Sequence, residues 1–181
     1  MQELAYVYEG KAKNGFNPDE SRKAILDTLN PISREDGSGT RTCFQDMEKS
    51  YSASGSGLSY RSDSKNPPIA ATTDQMGDMV SSTTNGIGYM SLGSVPDSLC
   101  ILSVSKTGSD AVDATKDTIL DATYPFSRPF VLLRLKSKGL SDAERTFMEY
   151  ILSPEGQDII VNAGFEALRP DQIEEQLSLL G

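Results

Sequence analysis

The sequence predicts an α/β fold, because segments with strand patterns alternate with segments with helix patterns along the chain. At 181 residues the chain is long enough for one sizeable α/β core. Alternation or runs of apolar residues predict strands, and apolar residues three and four apart predict helices. The predicted strands are residues 3–10, 86–93, 98–105 and 128–135, with a very short one at 31–33. The predicted helices are residues 17–31, 40–51, 74–84, 110–120, 141–152, 154–164 and 170–180.

The helices of the C-terminal third carry the clearest end signals. Ser141 and Glu144 are spaced as a capping box, in which each side chain bonds the other residue's backbone N–H. Ser153 followed by Pro154 starts the next helix, and Gly164 is typical of a helix stop. The acidic segment 170–180 has one apolar face that is available to dock or to bind a partner.

Composition excludes several classes of function. A net charge of −9 without a clustered basic face argues against nucleic acid as a partner. The chain has no histidine, which removes Ser-His-Asp and Cys-His catalysis and any histidine-ligated metal, and no cofactor is predicted. Cys43 and Cys100 are two thiols or a single bridge, a choice that the sequence leaves open. The first residues lack the pattern of a signal peptide, and no segment has the length of a membrane span.

The segment "ISREDGSGTRTCF", residues 32–44, has the composition of an anion-binding helix start. Backbone N–H groups at a helix N-terminus lack intrahelical partners and carry partial positive charge, and glycine lets the backbone approach a ligand. A planar guanidinium just before the turn can bind an oxyanion through two parallel hydrogen bonds, and Asp36 can hold that guanidinium in place. The same residue types also make an ordinary helix cap and tight turn, although the preceding arginine and the apolar helix that follows favour a site. The candidate binding residues are Arg34, Asp36, Gly37, Ser38, Gly39 and Thr40.

Four motifs, in chain order, resemble those of one known family. They are "SREDGSGTR", "NGIGYMSLGSV", "YPFSRPFVLL" and "FMEYILSPEGQDIIVNAGF", which lie between residues 32 and 168. The chain is similar to the phosphate-binding proteins of bacterial ABC importers, a branch of the two-lobed periplasmic binding proteins of type II. Several ordered motifs are more specific than a single short one.

The resemblance implies a fold, a ligand and a set of roles. Residues 1–125 are expected to form the second lobe, with a mobile Ser-rich loop at 52–68. Residues 126–181 are expected to form a return crossover strand and the C-terminal helices of a first lobe that lacks most of its N-terminal part. By resemblance, phosphate or a related oxyanion is bound without chemistry by Arg34, Ser38, Gly39 and Thr40, with Asp36 orienting the arginine. The ligand would then pass to an ABC permease outside the cytoplasm.

Two other interpretations stay open at this point. The chain is alternatively a non-transporting remnant or interaction protein of the same fold, which self-associates through its C-terminal helices. An enzyme is the third interpretation, but the adjacent acids Glu35 and Asp36 seldom converge on one substrate atom. The sequence therefore favours an anion-binding protein over an enzyme.

Overall fold

The computed structural model describes residues 1–11, 16–53, 55, 57–106, 109–135 and 137–180. The chain forms two compact units, residues Met1–Ala114 and Thr115–Gly181. The boundary between these units lies at 114/115, whereas the predicted one lies at 125/126, and the assignment of each unit to a lobe stays a prediction. No helix among the described residues is both long and apolar enough to cross a membrane.

Among its described residues, the first unit contains four α-helices, four two-residue strands and one turn of 3₁₀-helix (Leu92–Ser94). Its strands pair in two parallel sets, β1 with β4 and β2 with β3. Parallel neighbours need a long connection, and here each connection contains a helix. The elements in chain order are α1 (Gln2–Glu9), α2 (Glu20–Leu26), β1 (Asn30–Pro31), β2 (Ser33–Arg34), α3 (Gly39–Glu48), β3 (Ile69–Ala70), α4 (Thr73–Ser82) and β4 (Gly86–Ile87).

The core of the first unit lies between these strands and α4. Ile32, Ala70 and Met76 are fully buried, and Met76 comes from the face of α4 that the sequence pattern places inward. Gly88, just after β4, packs directly on this helix: a Cβ there would lie 2.5 Å from the Met76 sulfur. The absence of a side chain at Gly88 therefore permits this close approach of the backbone to α4.

The second unit contains helices α5 (Lys116–Leu120), α6 (Asp142–Leu152), α7 (Pro154–Asn162) and α8 (Pro170–Ser178). The predicted capping box is present at the start of α6, where the Glu144 carboxylate accepts from the Ser141 N–H at 2.8 Å. Ser153 caps α7, and Gly164 follows it with φ 83°, in the left-handed region that favours glycine. The helix predictions from residue 141 onward are therefore confirmed.

Three strand predictions are wrong. The segment predicted as a strand at 3–10 forms the helix α1 instead: its buried residues are Ala5, Val7, Tyr8 and Glu9, of which Ala5, Tyr8 and Glu9 have the spacing of one helix face. Segment 98–105 contributes one bridging residue, Val104, which pairs with Val112. Residues 128–135 form no strand within the described part of the chain, because no neighbouring strand is available to pair with their backbone.

The segment at 52–68 contains no helix or strand, and Ser54 and Ser56 within it lie outside the described residues. Two of its hydrogen bonds are made with α1: the Glu9 carboxylate accepts from the backbone N–H groups of Ala53 and Ser59, both at 2.8 Å. Leu58 between them is buried. These bonds hold the loop to α1 at Ala53 and Ser59. The mobility of the loop stays a prediction.

The two cysteines are not joined by a disulfide. Cys43 is half-buried on α3, where its thiol lies 4.0 Å from the sulfur of Met47, whereas Cys100 is exposed. The choice that the sequence left open is therefore resolved in favour of two thiols.

Candidate functional site

The paired strands β2 and β3 bring two helix starts to the same edge. Both strands run in the same direction, with Arg34 opposite Ala70, so their carboxyl ends lie side by side. Helix α3 begins five residues after β2 ends, and α4 begins three residues after β3 ends. This edge therefore carries the N-termini of two helices, each a region of partial positive charge.

The start of α3 offers backbone donors to solvent. Ser38 is the N-cap, and its Oγ accepts from the Arg41 N–H at 3.3 Å. The N–H groups of Gly39 and Thr40 donate no hydrogen bond within the part of the chain that is described. Gly39 is exposed, and no atom lies within 4 Å of the place where its Cβ would be. Two backbone donors at this helix end are therefore without a partner among the described residues.

The turn before α3 depends on glycine at one position. Gly37 has φ 90°, which L-residues with a side chain rarely adopt. The turn is closed by a hydrogen bond from the Ser38 N–H to the Glu35 carbonyl at 3.2 Å. The helix start predicted within residues 32–44 is confirmed, with Ser38 as the N-cap.

Three nitrogen atoms of the Arg34 guanidinium donate hydrogen bonds to two residues, Glu35 and Thr73. The Nε and Nη2 atoms donate to the two carboxylate oxygens of Glu35 at 2.9 and 3.1 Å, and Nη1 donates to Thr73 Oγ1 at 3.1 Å. The Arg34 side chain is 9% exposed, and that of Glu35 is 36% exposed. The hydrogen bonds from Arg34 keep the pKa of Glu35 below its ordinary value, so this carboxyl is ionised at neutral pH.

The ion pair predicted between Asp36 and Arg34 is not formed. Asp36 instead pairs with Arg41, whose Nη1 lies 2.7 Å from Oδ1. The same Nη1 donates to the Arg34 carbonyl at 2.9 Å. The cause is the direction in which the two acidic side chains leave the turn. Glu35 lies beside the Arg34 guanidinium. The Asp36 side chain is 94% exposed and contacts Arg41 in the first turn of α3.

A chain of hydroxyl groups connects the first motif, "SREDGSGTR", with the second, "NGIGYMSLGSV". Tyr89, from the second motif, accepts from the Arg34 N–H at 3.2 Å, and its hydroxyl lies 2.9 Å from both Ser33 Oγ and the Tyr60 hydroxyl. The guanidinium of Arg41 lies over the Tyr60 ring, 5.0 Å from its centroid. Burial raises the pKa of Tyr60 above its ordinary value, so its hydroxyl stays protonated and able to donate. These contacts fix the backbone of Arg34 beside the helix start.

The structure brings the predicted residues Arg34, Ser38, Gly39 and Thr40 to the edge where α3 begins, and it separates the Asp36 carboxylate from Arg34. Sequence reasoning did not predict the contacts of Thr73 and Arg41 with Arg34. Arg41 is the last residue of the motif "SREDGSGTR", so its position in the motif was a signal that it could belong to the site. Thr73 carries no such signal, because 39 residues separate it from Arg34 and only the pairing of β2 with β3 brings it near.

Comparison with known proteins assigns the family. The family model of the PBP superfamily domain matches residues 2–155, and the chain belongs to this superfamily. It is 32% identical over 154 residues to phosphate-binding protein PstS 2 of Streptococcus pneumoniae serotype 4, a match over 85% of this chain and 50% of that protein. Phosphate-binding protein PstS of Pseudomonas aeruginosa is 30% identical over 105 residues, which are 56% of this chain and 32% of that protein. The chain thus spans about half the length of the pneumococcal relative.

Solved structures give the same fold. The phosphate-binding protein of a phosphate ABC transporter from Streptococcus pneumoniae superposes with a TM-score of 0.65 at 28% identity, over 84% of this chain and 65% of that one. An ABC-type phosphate transport receptor from Vibrio cholerae superposes with a TM-score of 0.62 at 21% identity, over 93% and 62% of the two chains. The fold is thus the periplasmic binding protein type II-like α/β fold, and the resemblance noted from the four motifs is confirmed. The proteins named here are binding proteins and transport receptors, not enzymes.

Proposed function

We propose that this chain binds phosphate or a closely related oxyanion at the start of α3 and performs no chemistry on it. The observation that carries the proposal is the pair of N–H groups at Gly39 and Thr40 that donate no hydrogen bond among the described residues, at the start of the helix that follows the strand of the buried Arg34. Ser38 contributes a hydroxyl at the same helix end. Tetrahedral oxyanions suit such a site, because several donors converge and the helix dipole favours negative charge.

The free energy of each hydrogen bond limits the affinity that these donors can give. A hydrogen bond to a charged group contributes about 1.5–3 kcal/mol net, and micromolar affinity requires about 8 kcal/mol. The guanidinium, two amides and a hydroxyl reach that range only where water is excluded. We infer that high affinity needs a second surface that closes over the anion; the match to the pneumococcal relative covers 50% of that protein. Delivery to an ABC permease outside the cytoplasm belongs to the same proposal.

Titration calorimetry with inorganic phosphate tests the proposal. Gly39→Pro removes one free N–H at the first position of α3, where proline fits a helix and where the added ring has open space. This variant should bind phosphate about 10- to 100-fold more weakly, which corresponds to the loss of one charge-assisted bond. Arg34→Ala should lose about 100-fold or more.

The matched control for this substitution is Asp142→Pro. It places proline at the equivalent first position of α6, after an N-cap serine with extended backbone. It should leave phosphate binding unchanged, and thermal unfolding should show that Gly39→Pro remains folded. Equal heats for the wild type, Gly39→Pro and Arg34→Ala would reject the start of α3 as the anion site.

A second function, self-association through the second unit, is favoured by a separate observation. Segment 129–135 is mostly apolar and forms no helix or strand, with Leu133 91% exposed, and within the described chain the backbone of residues 129–134 donates and accepts no backbone hydrogen bond. Such a segment can pair with the same segment of a second copy. The large apolar side chains exposed in this unit include Phe130, Val131, Leu132, Leu135, Phe147, Tyr150, Ile159 and Val161.

Light scattering over a range of protein concentrations tests this second function. The wild type should form dimers or larger species, and Leu133→Asp should shift them to monomers, because it places charge on the proposed contact. Ile25→Asp is the matched control, since Ile25 is also an exposed apolar residue, 57% accessible, but lies on α2 in the first unit. A wild type that stays monomeric at the highest concentration contradicts self-association.

A further inference from the structure

The guanidinium of Arg34 already binds an anion that belongs to the protein. The Glu35 carboxylate engages Nε and Nη2 through two parallel hydrogen bonds of 2.9 and 3.1 Å. This is the geometry in which an arginine binds the two oxygens of a phosphate. The remaining nitrogen, Nη1, donates to the neutral Thr73 hydroxyl, which offers an anion no competition for charge.

The charges around the start of α3 cancel in this arrangement. Arg34 pairs with Glu35, and Arg41 pairs with Asp36, so each guanidinium has one carboxylate within 2.9 Å. An incoming oxyanion therefore meets two neutral pairs and the partial charge of the helix. A carboxylate that stayed in place would also repel the anion directly, because like charges a few ångströms apart interact strongly near a protein surface.

One member of the first pair is able to move. Arg34 is enclosed, with 9% of its side chain exposed, whereas 36% of the Glu35 side chain is exposed. The Glu35 backbone is fixed by its N–H bond to the Ala70 carbonyl at 3.2 Å and by the bond that its carbonyl accepts from Ser38. Rotation of the Glu35 side chain into solvent therefore releases Arg34 without disturbing β2 or the turn.

We propose that Glu35 sets the affinity of the site, because its carboxylate occupies the Nε and Nη2 edge of Arg34 and has to leave before an oxyanion binds there. This inference rests on the proposed function of the α3 start. Glu35 is then an internal competitor, and Thr73 is a positioning residue that keeps hold of Arg34 during the exchange. The sequence interpretation gave an acidic residue the opposite role, that of orienting the arginine for the ligand.

Calorimetric titration of inorganic phosphate into Glu35→Gln tests the inference. The amide keeps the size of the side chain and removes its charge, so phosphate should bind about 5- to 20-fold more tightly than to the wild type. Asp74→Asn is the matched control: it removes one exposed charge at the start of α4, next to Thr73, without any contact to Arg34 among the described residues. It should change the affinity by less than about twofold.

The outcomes separate this inference from the proposed function. If the wild type binds phosphate and Glu35→Gln binds equally or more weakly, Glu35 is not a competitor and the binding function stands. If Asp74→Asn gains as much affinity as Glu35→Gln, the effect is one of overall charge and the inference fails. If no variant binds phosphate, the proposed function fails and takes the inference with it. Thermal unfolding checks that Glu35→Gln is folded, and Glu35→Ser, which removes the carboxylate and its reach, should reproduce the gain.

Discussion

Replacing Glu48 with glutamine is expected to stabilise the protein at neutral pH and to remove most of the loss of stability between about pH 4.5 and pH 8. Glu48 is the last residue of α3 and is fully buried, and its carboxylate oxygens have no hydrogen-bond partner among the described residues. Burial raises the pKa of Glu48 from 4.5 to about 8. The nearby Glu9 carboxylate raises it further, whereas the Met1 amino group opposes the shift.

The direction of the pH dependence follows from proton binding. Between pH 4.5 and 8 the folded protein holds a proton on Glu48 that the unfolded chain has released. The free energy of unfolding therefore falls as pH rises through this range, by up to about 1.4 kcal/mol per pH unit. The total loss is about 3–5 kcal/mol, and the glutamine variant avoids it because its side chain does not ionise.

Urea unfolding at a series of pH values measures this effect. Asp46→Asn is the matched control, because Asp46 lies on the same helix but is exposed, so its replacement should leave the slope of stability against pH unchanged. A Glu48→Gln protein with the same slope as the wild type would show that the Glu48 carboxyl is hydrated or paired in solution.

Replacing Tyr8 with alanine is expected to lower the free energy of unfolding by about 3–5 kcal/mol, the usual cost of removing a large side chain from a core. Tyr8 is 1% exposed and joins α1 to the first parallel pair, since its hydroxyl lies 3.2 Å from the carbonyl oxygens of Ile32, the residue after β1, and of Ile87 in β4. Its ring also packs edge-on against Phe44, with centroids 5.0 Å apart, and lies 6.0 Å from the Tyr89 ring.

Two further substitutions separate the parts of this effect. Tyr8→Phe keeps the ring and loses the hydroxyl, so it should cost about 1–2 kcal/mol. Tyr6→Phe, two residues earlier on α1, removes a hydroxyl whose partner is the exposed Asp27 and should cost less than about 0.5 kcal/mol. Denaturant unfolding of the three variants gives the comparison. Losses of similar size for Tyr8→Phe and Tyr6→Phe would contradict the role given to the buried hydroxyl.

Local signals explain where the sequence succeeded in predicting this fold. The capping box of α6, the proline at the start of α7 and the serine cap of α3 each depend on residues within four positions of one another. Such features are set by backbone geometry and not by distant parts of the chain. The position of the candidate site was predictable for the same reason, because the turn and the helix that follows it are contiguous.

Features that depend on distant neighbours were not predictable. The mostly apolar segment 128–135 has the composition of a strand. A strand also needs a neighbouring strand with which its backbone can pair, and composition does not show whether one is present. The partner of Arg34 depends on the direction in which Glu35 and Asp36 leave the turn, a matter of backbone angles that a spacing of one or two residues does not determine. The contact with Thr73 required the register of β2 against β3.

The parallel pairing of the short strands has a kinetic consequence. Asn30 pairs with Gly86, so 56 residues, counted from the difference of these two positions, have to be brought into a closed loop before β1 gains its neighbour. Loop closure of this length costs entropy before any contact compensates for it, and folds rich in such contacts form slowly. The first turn of α3 can form its helix early, because its contacts are local. The Arg34 amide bonds Tyr89 only after this loop has closed. Fragments that end before residue 86 should therefore contain the helix without the ordered arginine beside it.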